Sequence, residues 1–147
     1  MILILIIKEV EYAIQILDEL YHEGSLSAAE LSARRDIPSP FIYRVLKKLE
    51  TAGILDIKRG PKGGYRLSRD CGRLTLYDVI NAFENTFLVV ECMKDEYDCT
   101  NNPRSDCCMH HEFRRIQELL KTEFSRNSLN SLLADDADEP VKQNGDS

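Results

Sequence analysis

Four of the five cysteines in this 147-residue chain lie in one short polar stretch, residues 91–113, together with two of its three histidines. Buried structural cysteines behave as small apolar residues and lie among apolar neighbours, so a hydrophobic core does not account for this clustering. We therefore expect the stretch to form disulfides, to hold a metal or to sense a reactive small molecule.

The spacing of these cysteines suits a metal cluster better than a single metal ion. Cys92, Cys99 and Cys107 are separated by six and seven residues, whereas a single ion is more commonly held by cysteines with two residues between them. Three cysteines leave one ligand position of an iron–sulfur cluster for a weaker donor, a histidine or a carboxylate. Such a cluster is open to nitric oxide or oxygen, which favours a sensor over an electron carrier. Zinc binding and a thiol–disulfide switch are the alternatives, and Cys71, outside the stretch, is interpreted as a bystander.

Composition indicates a globular chain, with 43% hydrophobic and 30% charged residues. The apolar start, residues 1–7, is shorter than the roughly 20 residues of a bilayer span, and it lacks the basic region and cleavage site of a secretory signal. The chain is therefore expected in the cytoplasm. Structural disulfides are rare there, which favours metal or redox chemistry for the cysteines.

The net charge of −6 conceals a basic middle region. Between positions 34 and 73, eleven lysines and arginines stand against four acids, a local charge of +7, whereas the tail at 134–147 carries −4. Because phosphate binding depends on the local field, this distribution favours DNA as a partner. A solvated basic face would have the same composition.

The first third of the chain has the pattern of a helix followed by a helix-turn-helix. Residues 9–21 have the periodicity of an amphipathic helix that ends at Gly24. Its predicted buried stripe is Val10, Ala13, Ile14, Leu17 and Leu20. A capping box in SAAE starts a short helix at Ser27, and Ser39 is predicted to cap a second, basic helix whose first residue is Pro40.

A hairpin and two more helices are predicted next. Two strands joined by the turn RGPKGG follow the basic helix directly, which is the pattern of a winged helix-turn-helix. The tip residues Arg59 and Lys62 would reach the minor groove or the phosphates. A short helix follows, capped by Thr75, and a longer one is predicted from about 106 to 126.

The longer helix carries one apolar stripe, formed by Phe113, Ile116, Leu120 and Phe124. Such a stripe on a projecting helix needs a partner, so a homodimer is expected; packing back onto the same chain is the alternative. The predicted fold is mainly α with a small β-hairpin wing. Residues 1–73 form the DNA-binding domain, 74–133 the cysteine loop and dimerisation helix, and 134–147 a disordered acidic tail.

Five motifs in one order resemble the Rrf-two family of bacterial winged-helix regulators, the group that contains IscR- and NsrR-type iron–sulfur sensors. They are EVEYAI, SAAELSARRDIPSPFIYRVLKKLETAGIL, RGPKGGYRL, TLYDVI and the loop that closes in CCMHHEF, and they cover roughly residues 6–133. The resemblance implies a dimer that binds a palindromic operator in double-stranded DNA. It also implies an iron–sulfur cluster, [2Fe–2S] or [4Fe–4S], that changes DNA binding when it is gained, lost or modified. No nucleophile–base pair or substrate loop accompanies the cysteines, so an enzyme is not expected.

The resemblance also assigns residues to the two sites. The cluster cysteines correspond to Cys92, Cys99 and Cys107. The fourth ligand differs among relatives and corresponds here to His110 or, from the first helix of the partner subunit, to Glu11. Cys108 stands where the family usually has a proline or a small residue, and it could compete for the cluster.

The recognition helix of the family corresponds to residues 39–48, and its wing arginine to Arg59. The candidate DNA-contacting residues are Ser39, Phe41, Tyr43, Arg44, Lys47, Lys48, Arg59 and Lys62. Arg44 could pair with guanine, and the lysines would hold phosphates. The cysteine loop lies between the short helix at 75–83 and the predicted dimerisation helix. A bound cluster would therefore order the loop. It would then shift the two recognition helices relative to the groove spacing of about 34–36 Å.

Overall fold

The computed structural model describes residues 6–68, 72–83, 87–94 and 107–134. The elements within these residues are α1 (Lys8–Glu23), β1 (Ser25–Leu26), α2 (Ala28–Arg35), α3 (Ser39–Thr51), β2 (Leu55–Lys58), β3 (Gly64–Leu67), α4 (Leu76–Phe83), α5 (Cys108–Phe124) and α6 (Leu129–Ala134). One 3-10 turn, Glu91–Met93, lies between α4 and α5. The predicted fold class, mainly α with a small β-hairpin wing, is confirmed. No helix in these ranges is long and apolar enough to cross a membrane.

The buried face of α1 differs from the predicted stripe at one position. Val10, Ala13, Leu17 and Leu20 are buried as predicted. The prediction for Ile14 is wrong, because its side chain is 39% exposed and Ile16 is fully buried instead. Position 16 lies one turn before 20 and therefore on the same side of the helix, whereas position 14 lies at the edge of that face.

The two helices of the helix-turn-helix form at their predicted places. At the start of α2, Ser27 Oγ accepts from Glu30 N at 3.2 Å, and Ser27 N donates to a Glu30 carboxylate oxygen at 2.7 Å. The predicted capping box is therefore confirmed. The predicted cap of α3 is wrong by one residue. Pro38 is the N-cap and Ser39 is already helical, because the carbonyl of Pro38 accepts the first helical hydrogen bonds from Phe41 N and Ile42 N.

The wing belongs to a three-stranded sheet rather than to a two-stranded hairpin. The strand order is β1-β3-β2, and Leu26 of β1 pairs with Tyr65 of β3. Two glycines have separate reasons to be there. Gly60 has a φ of 115°, a conformation that favours glycine. A Cβ on Gly64 would lie 2.5 Å from the carbonyl oxygen of Leu26, so the third strand can pair only with glycine at this position.

The C-terminal part of the chain folds back onto α1. Helix α5 begins at Cys108, two residues later than predicted, and α6 was not predicted. Leu129 and Leu133 of α6 are buried, and Leu129 N donates to Leu74 O at 2.7 Å. The predicted tail at 134–147 overlaps the last residue of α6, and positions 135–147 lie outside the described residues.

The close approach at Gly64 makes a stability prediction. We expect Gly64→Ala to lower the free energy of unfolding by about 1–3 kcal/mol, because the added methyl would overlap the backbone of β1. Urea denaturation measures this change. Gly72→Ala is the matched control, since a Cβ added at that position would have no atom within 4 Å. Equal stability of the two variants would contradict the assigned strand contact.

Candidate nucleic-acid interface and cysteine site

Helix α3 divides into a buried face and an exposed face that carries the candidate DNA contacts. Ile42, Val45, Leu46 and Leu49 are buried. The exposed face carries Ser39, Phe41, Tyr43, Arg44 and Lys47. Two of these are aromatic, with Phe41 38% and Tyr43 59% exposed. Large exposed aromatic side chains beside cations are typical of a surface that contacts another molecule.

A carboxylate on α1 binds two cations of this recognition helix. Glu9 Oε1 accepts from Arg44 Nη1 at 3.1 Å, and Glu9 Oε2 accepts from Lys48 Nζ at 3.0 Å. The Glu9 side chain is only 14% exposed, whereas that of Arg44 is 57% exposed. Helix α3 is therefore joined to α1 by a half-shielded ion pair in addition to the apolar core.

The ionisation of Glu9 reflects this pairing. Burial by itself would raise the pKa of the Glu9 carboxyl, but the hydrogen bonds and charges of Lys48 and Arg44 outweigh it, so the pKa lies below its usual range. Glu9 is therefore a carboxylate at neutral pH, and it neutralises part of the positive charge of α3.

Other cations of the basic middle region are also paired with acids of α1. Arg35 binds Asp18 and Glu19, and Arg34 lies 3.3 Å from Glu19 and from Glu23. These arginines therefore attach α2 to α1, and the local charge of +7 overstates the basic surface. Arg59 and Lys62, at the wing, are both exposed, and no ion pair to either occurs among the described residues.

Two soft donors of the cysteine stretch, Cys92 and His110, are in contact between the 3-10 turn and the first turn of α5. Cys92 Sγ lies 3.5 Å from His110 Nδ1, and both side chains are half-buried. Cys107 is the N-cap of α5, where its carbonyl accepts from His111 N at 3.1 Å. A thiolate at a helix N-terminus is stabilised by the helix dipole, so this end of α5 suits an anionic ligand set.

The remaining predicted ligands are not placed at this site. Cys99 lies outside the described residues. Glu11 is exposed on α1, where it accepts from Lys8 Nζ at 2.7 Å. Cys108 follows Cys107 and is exposed. No three side chains of cysteine, histidine, aspartate or glutamate converge into a metal site within the part of the chain that the structure describes.

A buried glutamine holds the segment that carries Cys92. Gln117 on α5 is 5% exposed. Its Nε2 donates to Phe87 O at 2.7 Å, and its Oε1 accepts from Val89 N at 2.8 Å. Positions 110 and 117 are two helical turns apart and share one face of α5. The same face therefore contacts Cys92 through His110 and the backbone before it through Gln117.

Sequence reasoning did not single out Glu9 or Gln117. An acid in the first turn of a helix is ordinarily explained by the helix dipole, so Glu9 gave no separate signal. The sequence does contain a signal for Gln117, because it is a polar residue within the apolar stripe of α5, four positions after Phe113 and three before Leu120. A polar side chain on a buried face usually has a hydrogen-bond partner.

Comparison with known proteins finds relatives for nearly all of the chain. The model of the Rrf2 family, described as iron-dependent transcriptional regulators, matches residues 6–135. The HTH-type transcriptional regulator IscR of Xenorhabdus nematophila is 30% identical over 111 residues, which cover 76% of this chain and 66% of that protein.

Solved structures show the same fold at lower identity. The structure of CymR, the global cysteine regulator of B. subtilis, has a TM-score of 0.68 and 23% identity, and the match covers 91% of this chain and 98% of that one. IscR of T. potens has a TM-score of 0.66 and 19% identity, covering 88% and 86% of the two chains.

The contacts of Gln117 predict that replacing it lowers the free energy of unfolding and also makes the Cys92 thiol more accessible. We expect Gln117→Leu to lower the free energy of unfolding by about 2–4 kcal/mol, because it leaves the buried Phe87 carbonyl and the half-buried Val89 N–H without partners. Alkylation of Cys92 by iodoacetamide, followed by mass spectrometry, should also become faster. Glu118→Leu, at the exposed neighbouring position, is the control. Unchanged stability and alkylation would show that Gln117 does not hold this segment.

Proposed function

Because the chain belongs to the Rrf2 (Rrf-two) family of transcriptional regulators, we propose that it is a cytoplasmic homodimer whose binding to a palindromic operator is switched by an iron–sulfur cluster. Its relatives and its fold are those of regulators rather than enzymes. The observation that supports the switching half of the proposal is the contact between Cys92 and His110, two soft donors 3.5 Å apart. Cys107 is the N-cap of the helix that carries His110.

The donor set fits an iron–sulfur cluster better than a hard cation. Thiolates and an imidazole are the ligands that such clusters accept. Cys92, Cys107 and His110 supply two thiols and an imidazole in the described residues, and Cys99 would supply the third thiol. When bound, a cluster would provide a group that oxygen, nitric oxide or loss of iron can alter. The imidazole or Glu11 of a partner subunit would complete the ligands.

The chain's own residues connect this site to the DNA-reading surface. Gln117 and His110 hold the segment 87–94 against α5. Helix α5 contacts α4, and α4 in turn contacts α1 and α3. A change in the position of α5 would therefore reach the recognition helix through packed elements rather than through a flexible linker.

Exposed apolar residues support the homodimer. On α5, Met109 is 59% and Leu119 55% exposed, while Phe124 on the inner side packs edge-to-face with Phe87 at 5.7 Å. Leu120 and Phe124 of the predicted stripe thus pack on their own chain, and the exposed residues Met109 and Leu119, outside that stripe, are the apolar surface that we assign to a second copy.

A second candidate function is regulation by cysteine oxidation without a cluster. One observation favours it: Cys108 is an exposed thiol next to Cys107. In this case the thiols themselves would be oxidised and reduced. The affinity for DNA would then respond to a reductant in protein that holds no iron.

Metal analysis separates the two candidates. We expect protein purified without oxygen to be brown and to contain near-stoichiometric iron and sulfide, with Cys92→Ala, Cys99→Ala and Cys107→Ala each losing both, because each removes a thiolate ligand. Cys71→Ala is the control and should keep them. A colourless protein that fails reconstitution but binds DNA, with affinity changed by reductant, would support the oxidation candidate instead.

The wing makes a separate prediction for DNA binding. We expect Arg59→Ala to weaken binding to operator and to scrambled duplex alike and to reduce the slope of log K against log salt by about 0.9, because one phosphate contact is lost. Titration of labelled duplex over about 50–200 mM salt measures both quantities. Unchanged affinity and slope would remove the wing from the DNA interface.

A further inference from the structure

The pairing of Glu9 with Arg44 and Lys48 adds to a contact between α1 and α3 that the apolar core already makes. Helix α3 is already held by its buried face, on which Ile42, Val45, Leu46 and Leu49 are each 1% exposed or less. A carboxylate facing a DNA-binding surface also repels phosphates, which weakens binding to any DNA. Glu9 therefore opposes general affinity, and its position calls for another reason.

The geometry of Arg44 suggests that reason. Its contact with Glu9 uses Nη1. Because no residue that the structure describes binds Nε or Nη2, that edge of the guanidinium is open to a second partner. The guanidinium also lies 5.5 Å from the ring centre of Phe41. Held at one nitrogen and beside an aromatic ring, Arg44 has fewer orientations than an arginine on an open surface. A bidentate contact to guanine O6 and N7 needs one orientation, whereas a phosphate accepts many.

Lys48 is restrained in the same way. Its Nζ is bound by Glu9 at 3.0 Å and lies 5.3 Å from the ring centre of Phe83, and its side chain is 38% exposed. By contrast, Lys47 on the neighbouring position is 74% exposed, with its ion pair to Glu50 at 3.6 Å. The helix thus carries one highly exposed cation, Lys47, and two cations that Glu9 binds.

We propose that Glu9 is a specificity-determining residue, which holds Arg44 for contact with a base edge and withholds Lys48 from indiscriminate contact with phosphates. Its effect is to lower affinity for DNA in general more than affinity for the operator. This inference rests on the proposed DNA-reading role of α3 and is independent of the cluster.

The test compares two duplexes, one enriched by wild-type protein from a random-sequence pool and a scrambled duplex of the same composition. We expect Glu9→Gln to bind the scrambled duplex about tenfold more tightly, with the salt slope steeper by about 0.9 for each cation released to a phosphate. Binding to the enriched duplex should change about twofold or less, so the ratio of the two affinities falls about fivefold or more.

Three further variants make the result specific. Glu23→Gln makes the same charge change on the same helix, but its partner Arg34 of α2 keeps its contact with Glu19, so neither affinity should change. Arg44→Gln should by itself abolish most of the preference for the enriched duplex. In the Arg44→Gln background, Glu9→Gln should alter the salt slope through Lys48 but lower the affinity ratio no further.

The outcomes separate this inference from the proposal on which it rests. If Arg44→Gln keeps the full preference for the enriched duplex, the reading role of α3 fails and the inference fails with it. If Arg44→Gln loses the preference while Glu9→Gln resembles Glu23→Gln in affinity and slope, only the inference is overturned. Circular dichroism and the unfolding midpoint show whether each variant is folded. A Glu9→Gln protein that weakens both duplexes equally would also overturn it.

Discussion

Burial of one face of α1 is the interaction on which the other elements depend. Ala13, Ile16, Leu17 and Leu20 are at most 1% exposed, and α1 contacts α2, α3, α4, α6 and β3. Because a close-packed interior does not deform continuously, the position of α1 determines where both helices of the helix-turn-helix lie. Acids beside this buried face add ion pairs, to α3 near the N-terminal end of α1 and to α2 further along the helix.

These ion pairs reduce the positive charge that the basic middle region exposes and confine it to a smaller part of the surface. A segment with this excess of lysine and arginine would bind phosphates along its whole exposed length. In the folded chain, Arg34 and Arg35 are taken up by acids of α1, and Glu9 retains Arg44 and Lys48. The wing and the exposed aromatic residues of α3 are then left as a smaller surface, and this is the surface that the proposed DNA interface would use.

The cysteine stretch depends on the same scaffold through α5. A single buried glutamine supplies both a donor and an acceptor to the backbone before Cys92, and its loss would leave one buried and one half-buried group without partners. His110, two turns earlier on the same face, meets the Cys92 thiol. The donors are therefore positioned by a helix that contacts α4, and a change at the cysteines has a packed route toward the DNA-reading surface.

Elements that depend on residues close together in the sequence could be predicted. Elements that depend on contacts between residues far apart in the sequence could not. The capping box of α2 and the turn of the wing depend on residues within a few positions, and both were predicted. Strand β1 exists because Leu26 pairs with Tyr65, and α6 because Leu129 and Leu133 find a face of α1. Ile16 rather than Ile14 is buried since the neighbouring helices, not the periodicity of α1 alone, define which side is covered.

By itself, the sequence determined the chemistry that this protein can carry out: soft donors in one stretch, a basic helix with a glycine-rich wing, and the family that these motifs resemble. Only the tertiary structure decided which groups meet. Glu9 binds Lys48 from 39 positions away, and Cys92 meets His110 across 18. Such contacts follow from how helices pack against one another, and local propensity carries no information about a partner that lies so far along the chain.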